Sequence, residues 1–271
     1  MPPRQHQVSA EPWTRERLRI VLAATTIVLV ALTVGTAVIW AKSLTHSAPE
    51  PAPAAGHSAD PVESSSVPVR DRIAAAPMTA LDPAAATVPD PATDAAHPIH
   101  IPLPLQGSGP ADIPTYPDTP EGAVAQLAAI DQTVLETMSI AHTREVHDAW
   151  VLPGGPSFEQ WDLTSNVTAF LRGARQGSTK DLTTTVHTTP AGGMIKGTDG
   201  PDWVVACVLL DIQASIRDEY RMGWGHCQRM QWVGSRWQIA PGTQPAQAPS
   251  AWPGSKAALA AGWLTWTETS R

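Results

Sequence analysis

Residues 203–216, with the sequence WVVACVLLDIQASI, are the stretch that decides the fold. Apolar side chains occupy every even position from Val204 to Ile216, whereas the odd positions turn polar from Asp211 onward. Alternate residues of a strand point to opposite faces, so this pattern predicts a β-strand with one face in a core and the other partly in water. Such a strand is typical of an antiparallel sheet that is covered on one side.

A turn centred on Arg217 predicts a return strand over residues 222–233, antiparallel to the first. The same centre sets Cys207 opposite Cys227. Directly opposed residues have Cα atoms about 4.5–5.5 Å apart, which is within the range that a disulfide accepts. Because the compartment outside a membrane is oxidising, we interpret the two cysteines as a cross-strand disulfide. The alternative is a pair of buried free thiols.

A hairpin turn at Gly234-Ser235 predicts a third strand and pairs Trp232 with Trp237. The first turn sets Leu210 opposite Trp224, so both registers bring apolar residues to one side of the sheet. This agreement predicts three adjacent antiparallel strands. Trp224, Trp232 and Trp237 are core aromatics in this interpretation, although a concave sheet can also present such side chains in a pocket.

The region from residue 118 also carries helix signals. Thr119-Pro120-Glu121 combines an N-cap, a proline at the first helical position and an acid in the first turn, and Ser157 with Gln160 matches a capping box. With the strands, these signals predict an α+β domain over residues 118–271, with helices packed on a curved antiparallel sheet. The other predicted elements are a helix over residues 143–152, strands over 182–189 and 194–196, and a last helix carrying Leu259, Trp263 and Trp266.

Residues 20–41 contain no charged side chain and predict a transmembrane helix. At 1.5 Å per residue the helix is about 33 Å long, enough to span a bilayer. The alternative is a cleaved signal peptide, which has a shorter apolar core and needs a small residue where Ile39 stands. Four arginines precede the segment and only Lys42 closely follows it, so residues 1–19 are predicted to be a cytoplasmic tail, with the C-terminal domain outside the plasma membrane.

Residues 42–117 hold 15 of the 27 prolines, many alanines and no apolar period. Such a composition cannot bury enough surface to offset the entropy of ordering, so it predicts a disordered stalk. Residues 97–105 are more apolar than the rest. The alternative for them is a segment that docks on the domain or on a partner.

Composition and motifs limit the classes of function that this chain can have. The formal net charge is −7 and only 18 Lys and Arg are present, which argues against direct nucleic-acid binding. His142 and His147 lack the spacing of a helical zinc site, and His226 and Cys227 are strand neighbours that point to opposite faces. No phosphate-binding glycine loop or nucleophile elbow occurs. The expectation is a non-enzymatic protein without metal or cofactor.

A family resemblance rests on three short runs: residues 223–230 (GWGHCQRM), residues 234–237 (GSRW) and residues 249–254 (PSAWPG). In them the chain resembles uncharacterised membrane-anchored proteins of actinobacterial integrative and conjugative elements. The whole arrangement is similar to bitopic proteins with a cystatin-like, nuclear-transport-factor-two-like cone, such as the inner-membrane scaffold subunits of type IV secretion systems. No catalytic residue is carried over from this resemblance.

The resemblance implies a structural or assembly subunit of a conjugative DNA-transfer or secretion apparatus. Its partners would be other membrane protein subunits, including further copies of the chain. The alternative is an extracytoplasmic ligand-binding or hydrolytic domain that uses a cone pocket, or an accessory subunit of a lipid importer. The predicted core face is apolar apart from His226 and Gln228, which favours the assembly subunit.

Overall fold

The computed structural model describes residues 67–94 and 96–269. The predicted cytoplasmic tail, the predicted membrane helix and the first part of the predicted stalk, residues 42–66, lie outside these residues. Within the described ranges, no helix is both long and apolar enough to cross a bilayer.

Five α-helices, two short 3-10 helices (Pro83–Ala86 and Pro110–Asp112) and six strands are the elements of the described residues. The helices are α1 (Val69–Ala75), α2 (Pro120–Thr137), α3 (Ile140–Trp150), α4 (Asp162–Gly173) and α5 (Lys256–Ala260). The strands are β1 (Pro98–Ile101), β2 (Thr185–Thr198), β3 (Trp203–Ser215), β4 (Glu219–Val233), β5 (Arg236–Ile239) and β6 (Leu264–Glu268).

The strands form one curled, mixed sheet in the order β1-β6-β2-β3-β4-β5, a half-barrel on which the helices pack. The α+β prediction is therefore confirmed. The sheet is not wholly antiparallel, because β1 pairs parallel to β6, with Ile99 beside Trp266. All other neighbouring strands are antiparallel.

The predicted register of the three strands β3, β4 and β5 is confirmed. Leu210 lies opposite Trp224 and Cys207 opposite Cys227 in the β3–β4 pair, and Trp232 lies opposite Trp237 in the β4–β5 pair. The two predicted strands before β3 are one strand, β2, which continues through Pro190 by means of irregularities in its pairing. The bulges let a Pro/Gly-rich stretch remain in a sheet.

Helix α2 packs on the concave face of the sheet and begins where the sequence predicts. The Thr119 side chain accepts a hydrogen bond from the Gly122 amide, 3.0 Å away. The core between α2 and the sheet is apolar over most of its area and contains Leu127, Val134 and Leu210. Such burial is the main stabilising contribution in a domain of this size.

Helix α4 begins later than the capping box indicates. Ser157 Oγ donates to Gln160 Oε1 over 3.3 Å, but the first helical residue is Asp162, after Trp161. The side chain of Trp161 is fully buried, so packing of this indole rather than a polar cap determines where the helix starts.

The convex face of the sheet is covered as well, which the sequence pattern did not indicate. The odd residues Val205, Cys207 and Leu209 are buried against a second cluster that includes Ala74 of α1. An ion pair of 2.7 Å joins Asp71 of α1 to Arg229 of β4. The prediction of a disordered stalk is therefore wrong from residue 67 to residue 117, and the docking alternative for residues 97–105 describes β1 better.

The predicted last helix is also wrong beyond its first turns. Helix α5 ends at Ala260, and Gly262 adopts φ +89°, a left-handed conformation that stops the helix. The chain then extends as β6, which pairs with β1 and β2. Leu259, Trp263 and Trp266 thus lie in different elements, and their helical spacing is coincidental.

Residues 240–255, here called the return segment, run back across the convex side of β4 at very close range. A Cβ built on Gly223 would lie 1.8 Å from the carbonyl oxygen of Ala251. We expect Gly223→Ala to lower the free energy of unfolding by about 1–3 kcal/mol, because backbone must move to make room. Denaturant titration measures this loss.

The matched control for Gly223 is Gly173→Ala, where a new Cβ meets nothing within 4 Å. This change at the end of α4 should leave stability unchanged or raise it by up to about 1 kcal/mol. Equal effects of the two substitutions would contradict the close approach of the return segment.

Candidate functional site

An apolar groove of about 720 Å³ lies at the end of the hairpin formed by β3 and β4. One wall is the even-numbered face of the hairpin and the other is the C-terminal end of α4. Its apolar lining includes Met138, Phe170, Val186, Ile212, Ala214 and Met222. This volume is in the range of ordinary ligand or peptide sites.

The groove exists because the hairpin continues past the helices that cover the rest of the concave face. Ile212 and Ala214 are only partly buried, whereas Val208 and Leu210 on the same face are fully buried. Helix α4 ends at Gly173, and Arg175 then adopts φ +57°, so the chain turns away before covering the hairpin tip.

Large apolar side chains at the groove remain open to solvent. Tyr220 is 59% exposed and Met222 is 36% exposed. Clustered exposed apolar residues of this kind mark interaction or ligand sites more often than isolated ones do.

The rim of the groove carries both signs of charge. Arg175, Arg217, Asp218 and Glu219 line it, and all four are exposed. Among the ion pairs within residues 67–94 and 96–269, none involves these four side chains. Arg221, which also lines the groove, is bound to Asp211 with contacts of 2.9 and 2.6 Å. Within the described residues, the rim therefore offers two cations and two anions that form no ion pair.

A second polar feature lies deeper, between α2 and β4. His226 Nδ1 is 2.8 Å from Asp131 Oδ2, and the two side chains are 3% and 0% exposed. On the other side of the ring, Gln228 Nε2 lies 3.2 Å from His226 Nε2. Trp224 stacks on the imidazole at 4.8 Å with an interplanar angle of 20°. Asp131, His226 and Gln228 thus form a buried hydrogen-bonded chain.

Burial and charge act in opposite directions on these groups. Burial raises the pKa of Asp131 above its usual range, and the charge and hydrogen bond of His226 only partly offset this rise. Burial by itself lowers the pKa of His226, but the charge of Asp131, the hydrogen bond to it and the charge of Asp162 outweigh burial and raise that pKa. The folded protein therefore binds protons at Asp131 and His226 more tightly than the unfolded chain does.

A smaller cavity of about 350 Å³ reaches the same histidine from outside. Asp162 at the start of α4 lies on its wall, with Oδ2 at 3.9 Å from His226 Nε2. A ring nitrogen acting as a general base needs a free lone pair aimed at substrate. Here Gln228 already contacts Nε2, and its amide can serve either protonation state of the ring. The arrangement is that of a structural polar network between helix and sheet.

The raised pKa values predict how stability depends on pH. Because the pKa of His226 is raised in the folded state, the protonated ring stabilises the fold. This stability is fully present below about pH 6.5, the unfolded value, and is lost as the pH rises through the raised pKa. The raised pKa of Asp131 has the same sign. We expect the free energy of unfolding to fall as the pH rises above about 6.5, by at most about 1.4 kcal/mol per pH unit for one proton.

Asp131→Asn is the control for this pH dependence, because it removes the charge that raises the pKa of His226. Denaturant titrations of the two proteins across the same pH range should give a shallower slope for the variant. Parallel curves would contradict the coupling of His226 to Asp131.

The disulfide between Cys207 and Cys227 is confirmed. It joins β3 to β4 on the convex face, where Cys227 Sγ lies 3.6 Å from Met78 Sδ. It is therefore a covalent link under the segment that follows α1 and is not part of the groove.

Loss of the disulfide should destabilise the domain by about 3 kcal/mol, because the bridge closes a loop of 20 residues in the unfolded chain. Cys207→Ser, Cys227→Ser and the double substitution should cost nearly the same, since each removes one bond. Thermal unfolding of the three variants measures this. Additive losses would indicate two independent contributions.

The three predicted aromatics lie in different surroundings. Trp237 is fully buried and donates from Nε1 to the carbonyl of Pro117 over 2.9 Å. Trp232 packs edge-on against it, with ring centroids 5.6 Å apart. Trp224 is partly buried, stacks on His226 and lines the 350 Å³ cavity. Trp224 thus lines the smaller cavity, and none of the three lines the groove.

Neither Asp131 nor the groove was predicted from the sequence. Asp131 lies four residues after Leu127 and three before Val134, in the middle of the apolar stripe of α2. An acid at such a position indicates a buried hydrogen-bond partner, because an unpaired buried carboxyl group is costly. His226 lies on the predicted core face and was a candidate for this partner. The groove had no comparable signal, because its wall residues continue the apolar alternation of the core.

The described part of the chain is an α+β domain with helices on a curled mixed six-stranded half-barrel sheet and an apolar groove at one end of the β3–β4 hairpin. No protein-family model, curated protein or solved structure matches the chain.

Proposed function

We propose that this chain is a non-enzymatic, single-pass membrane protein whose folded domain acts outside the plasma membrane as a structural or assembly subunit. The apparatus proposed for it is a conjugative DNA-transfer or secretion machine. The single observation that carries the binding role is the apolar groove, with Tyr220 and Met222 open to solvent at its mouth. An apolar segment of a neighbouring protein subunit is the proposed occupant.

The location outside the membrane is supported by the disulfide. Cys207 and Cys227 are bonded, and bonds of this kind persist in oxidising compartments and are rare in the cytosol. The uncharged run at residues 20–41, with arginines before it, supplies the proposed anchor and orientation.

We also propose that the half-barrel is a cone of the cystatin-like, nuclear-transport-factor-two-like kind. In support, α2 crosses the concave face of β2, β3 and β4, and these three strands are long and antiparallel. The mouth of such a cone is where the groove lies. Two features are additions to this plan: β1, which is parallel to β6, and α1 on the convex face.

The test of the assembly role is photo-crosslinking in cells from a photoreactive residue placed at Met222. Discrete adducts with membrane protein subunits, this chain included, are expected. The matched control is the same residue at Leu182, an exposed apolar side chain outside the groove. Absence of protein adducts from position 222, or an identical pattern from position 182, would overturn the proposal.

A second candidate function, ligand binding or hydrolysis in a cone pocket, is favoured by one observation. The Asp131–His226 pair lies beside the 350 Å³ cavity, and buried carboxylate–histidine pairs are common in active sites. The contact of Gln228 with His226 Nε2 weighs against catalysis. A role as a lipid-importer accessory subunit would use the larger groove, and delipidated protein binding a radiolabelled fatty acid there would favour it.

A further inference from the structure

We propose that the occupant of the groove is a second copy of this chain, bound through the same surface in a two-fold symmetric dimer. This inference rests on the proposed assembly function and names its partner. The surface consists of the apolar groove walls and the four charges of the rim that form no ion pair among the described residues, Arg175, Arg217, Asp218 and Glu219.

The charges of the rim favour self-association. A two-fold interface brings one patch against itself, so the patch must be complementary to its own image. The two arginines and two acids of the rim meet that requirement, because cations of one copy can face anions of the other. An anionic amphiphile would require a net positive rim, and a basic partner would require a net negative one.

The positions of the apolar side chains also favour self-association. Tyr220 and Met222 are exposed at the groove mouth, and Ile212 and Ala214 are partly buried behind them. In a dimer formed through this surface, Tyr220 and Met222 of one copy pack against Ile212 of the other copy and the groove wall around it. Aromatic and methionine side chains at the centre, with charges around them, are typical of protein interfaces.

The surface around the groove is also stiff. The hairpin that carries Tyr220 and Met222 is paired along its whole length, from the Trp203–Gln231 pair to the Ser215–Glu219 pair. Arg221 is held to Asp211 and lies over the Trp252 ring, 4.7 Å from its centroid. A surface organised in advance loses little conformational entropy when it binds.

A charge-swap experiment on the full chain, extracted in mild detergent, tests the dimer. One variant carries Arg175→Glu and Arg217→Glu, and the other carries Asp218→Lys and Glu219→Lys. Each should lose self-association, with at least a tenfold weaker dimer, because like charges then face each other. A one-to-one mixture of the two should recover association. The readout is co-purification of differently tagged copies, followed by native mass spectrometry.

The matched control changes two exposed charges that do not line the groove, Arg72→Glu and Asp118→Lys, and should associate like the unmodified chain. Far-ultraviolet circular dichroism and the melting temperature show that each variant is folded. A second pair of changes, Tyr220→Ser and Met222→Ser, should weaken association without any charge effect.

A monomeric unmodified chain would overturn the proposal. So would unchanged association of either charge variant, or failure of the mixture to recover it. Crosslinks from position 222 to a different protein subunit, together with a monomeric chain, would leave the assembly function standing and remove only the dimer. Absence of any protein crosslink would remove both.

Discussion

A chain that begins at Pro117 is expected to be less stable than one that begins at Val67 by on the order of 5 kcal/mol or more. The shorter chain lacks Ile99, Ile101 and Ile113, whose side chains are at most 4% exposed. Full burial of one such side chain contributes about 1.5–3 kcal/mol. Since whole domains are stable by only about 5–15 kcal/mol, the shorter chain should be largely unfolded.

Removal of the N-terminal part also uncovers part of the convex face. Trp203, Val205 and Leu209 are buried beneath the part of the chain that includes Ala74 and Met78. Guanidinium titration of the two chains, followed by tryptophan fluorescence, measures the difference. Equal denaturation midpoints would mean that residues 67–116 contribute nothing to the fold, as a stalk would.

The central hairpins were predictable because a strand carries its pattern locally. The two-residue period of residues 203–216 indicates which face of the sheet each side chain occupies. The positions of the two turns then determine which residues lie opposite each other on neighbouring strands. The pairing of Cys207 with Cys227 followed from this register. Local periodicity and turn chemistry therefore sufficed for β3, β4 and β5.

The N-terminal part was not predictable in the same way. Residues 67–117 have no apolar period because they do not pack as an independent amphipathic element. They contribute isolated side chains, such as Ala74 and Ile113, to surfaces made by residues far along the chain. Proline is compatible with this role, since it stiffens a segment that follows an existing surface and reduces the entropy lost on ordering.

The polar network was missed for a related reason. Asp131 and His226 are 95 residues apart in sequence, and no local pattern around either residue predicts its contact with the other. The helix stripe and the strand alternation each place one polar residue on a core face. Only the packing of α2 across β4 shows that the two positions meet, and each then explains the presence of the other.

Substitution of His226 by alanine is expected to lower the free energy of unfolding by about 3–5 kcal/mol, as is usual when one partner of a buried pair is removed. Asp131 would lose its only hydrogen-bond partner among the described side chains, and its Oδ1 atom already has none. The carboxyl group would then stay in the core as an unpaired acid. Urea titration near neutral pH measures the loss.

The double variant Asp131→Leu, His226→Leu distinguishes the polar contribution of the pair to stability from the contribution of the space that the two side chains fill. Both ionisable groups disappear together and no buried charge is left behind, whereas the buried Gln228 amide loses its contact with His226 Nε2. We therefore expect a loss of about 1–3 kcal/mol, the cost of one unsatisfied buried amide, which is smaller than that of His226→Ala. Recovery of stability in the double variant, relative to His226→Ala, would show that the network acts as one unit. If the double variant is instead the less stable of the two, Asp131 and His226 contribute separately. The network would then provide little of the specificity with which α2 is held against β4.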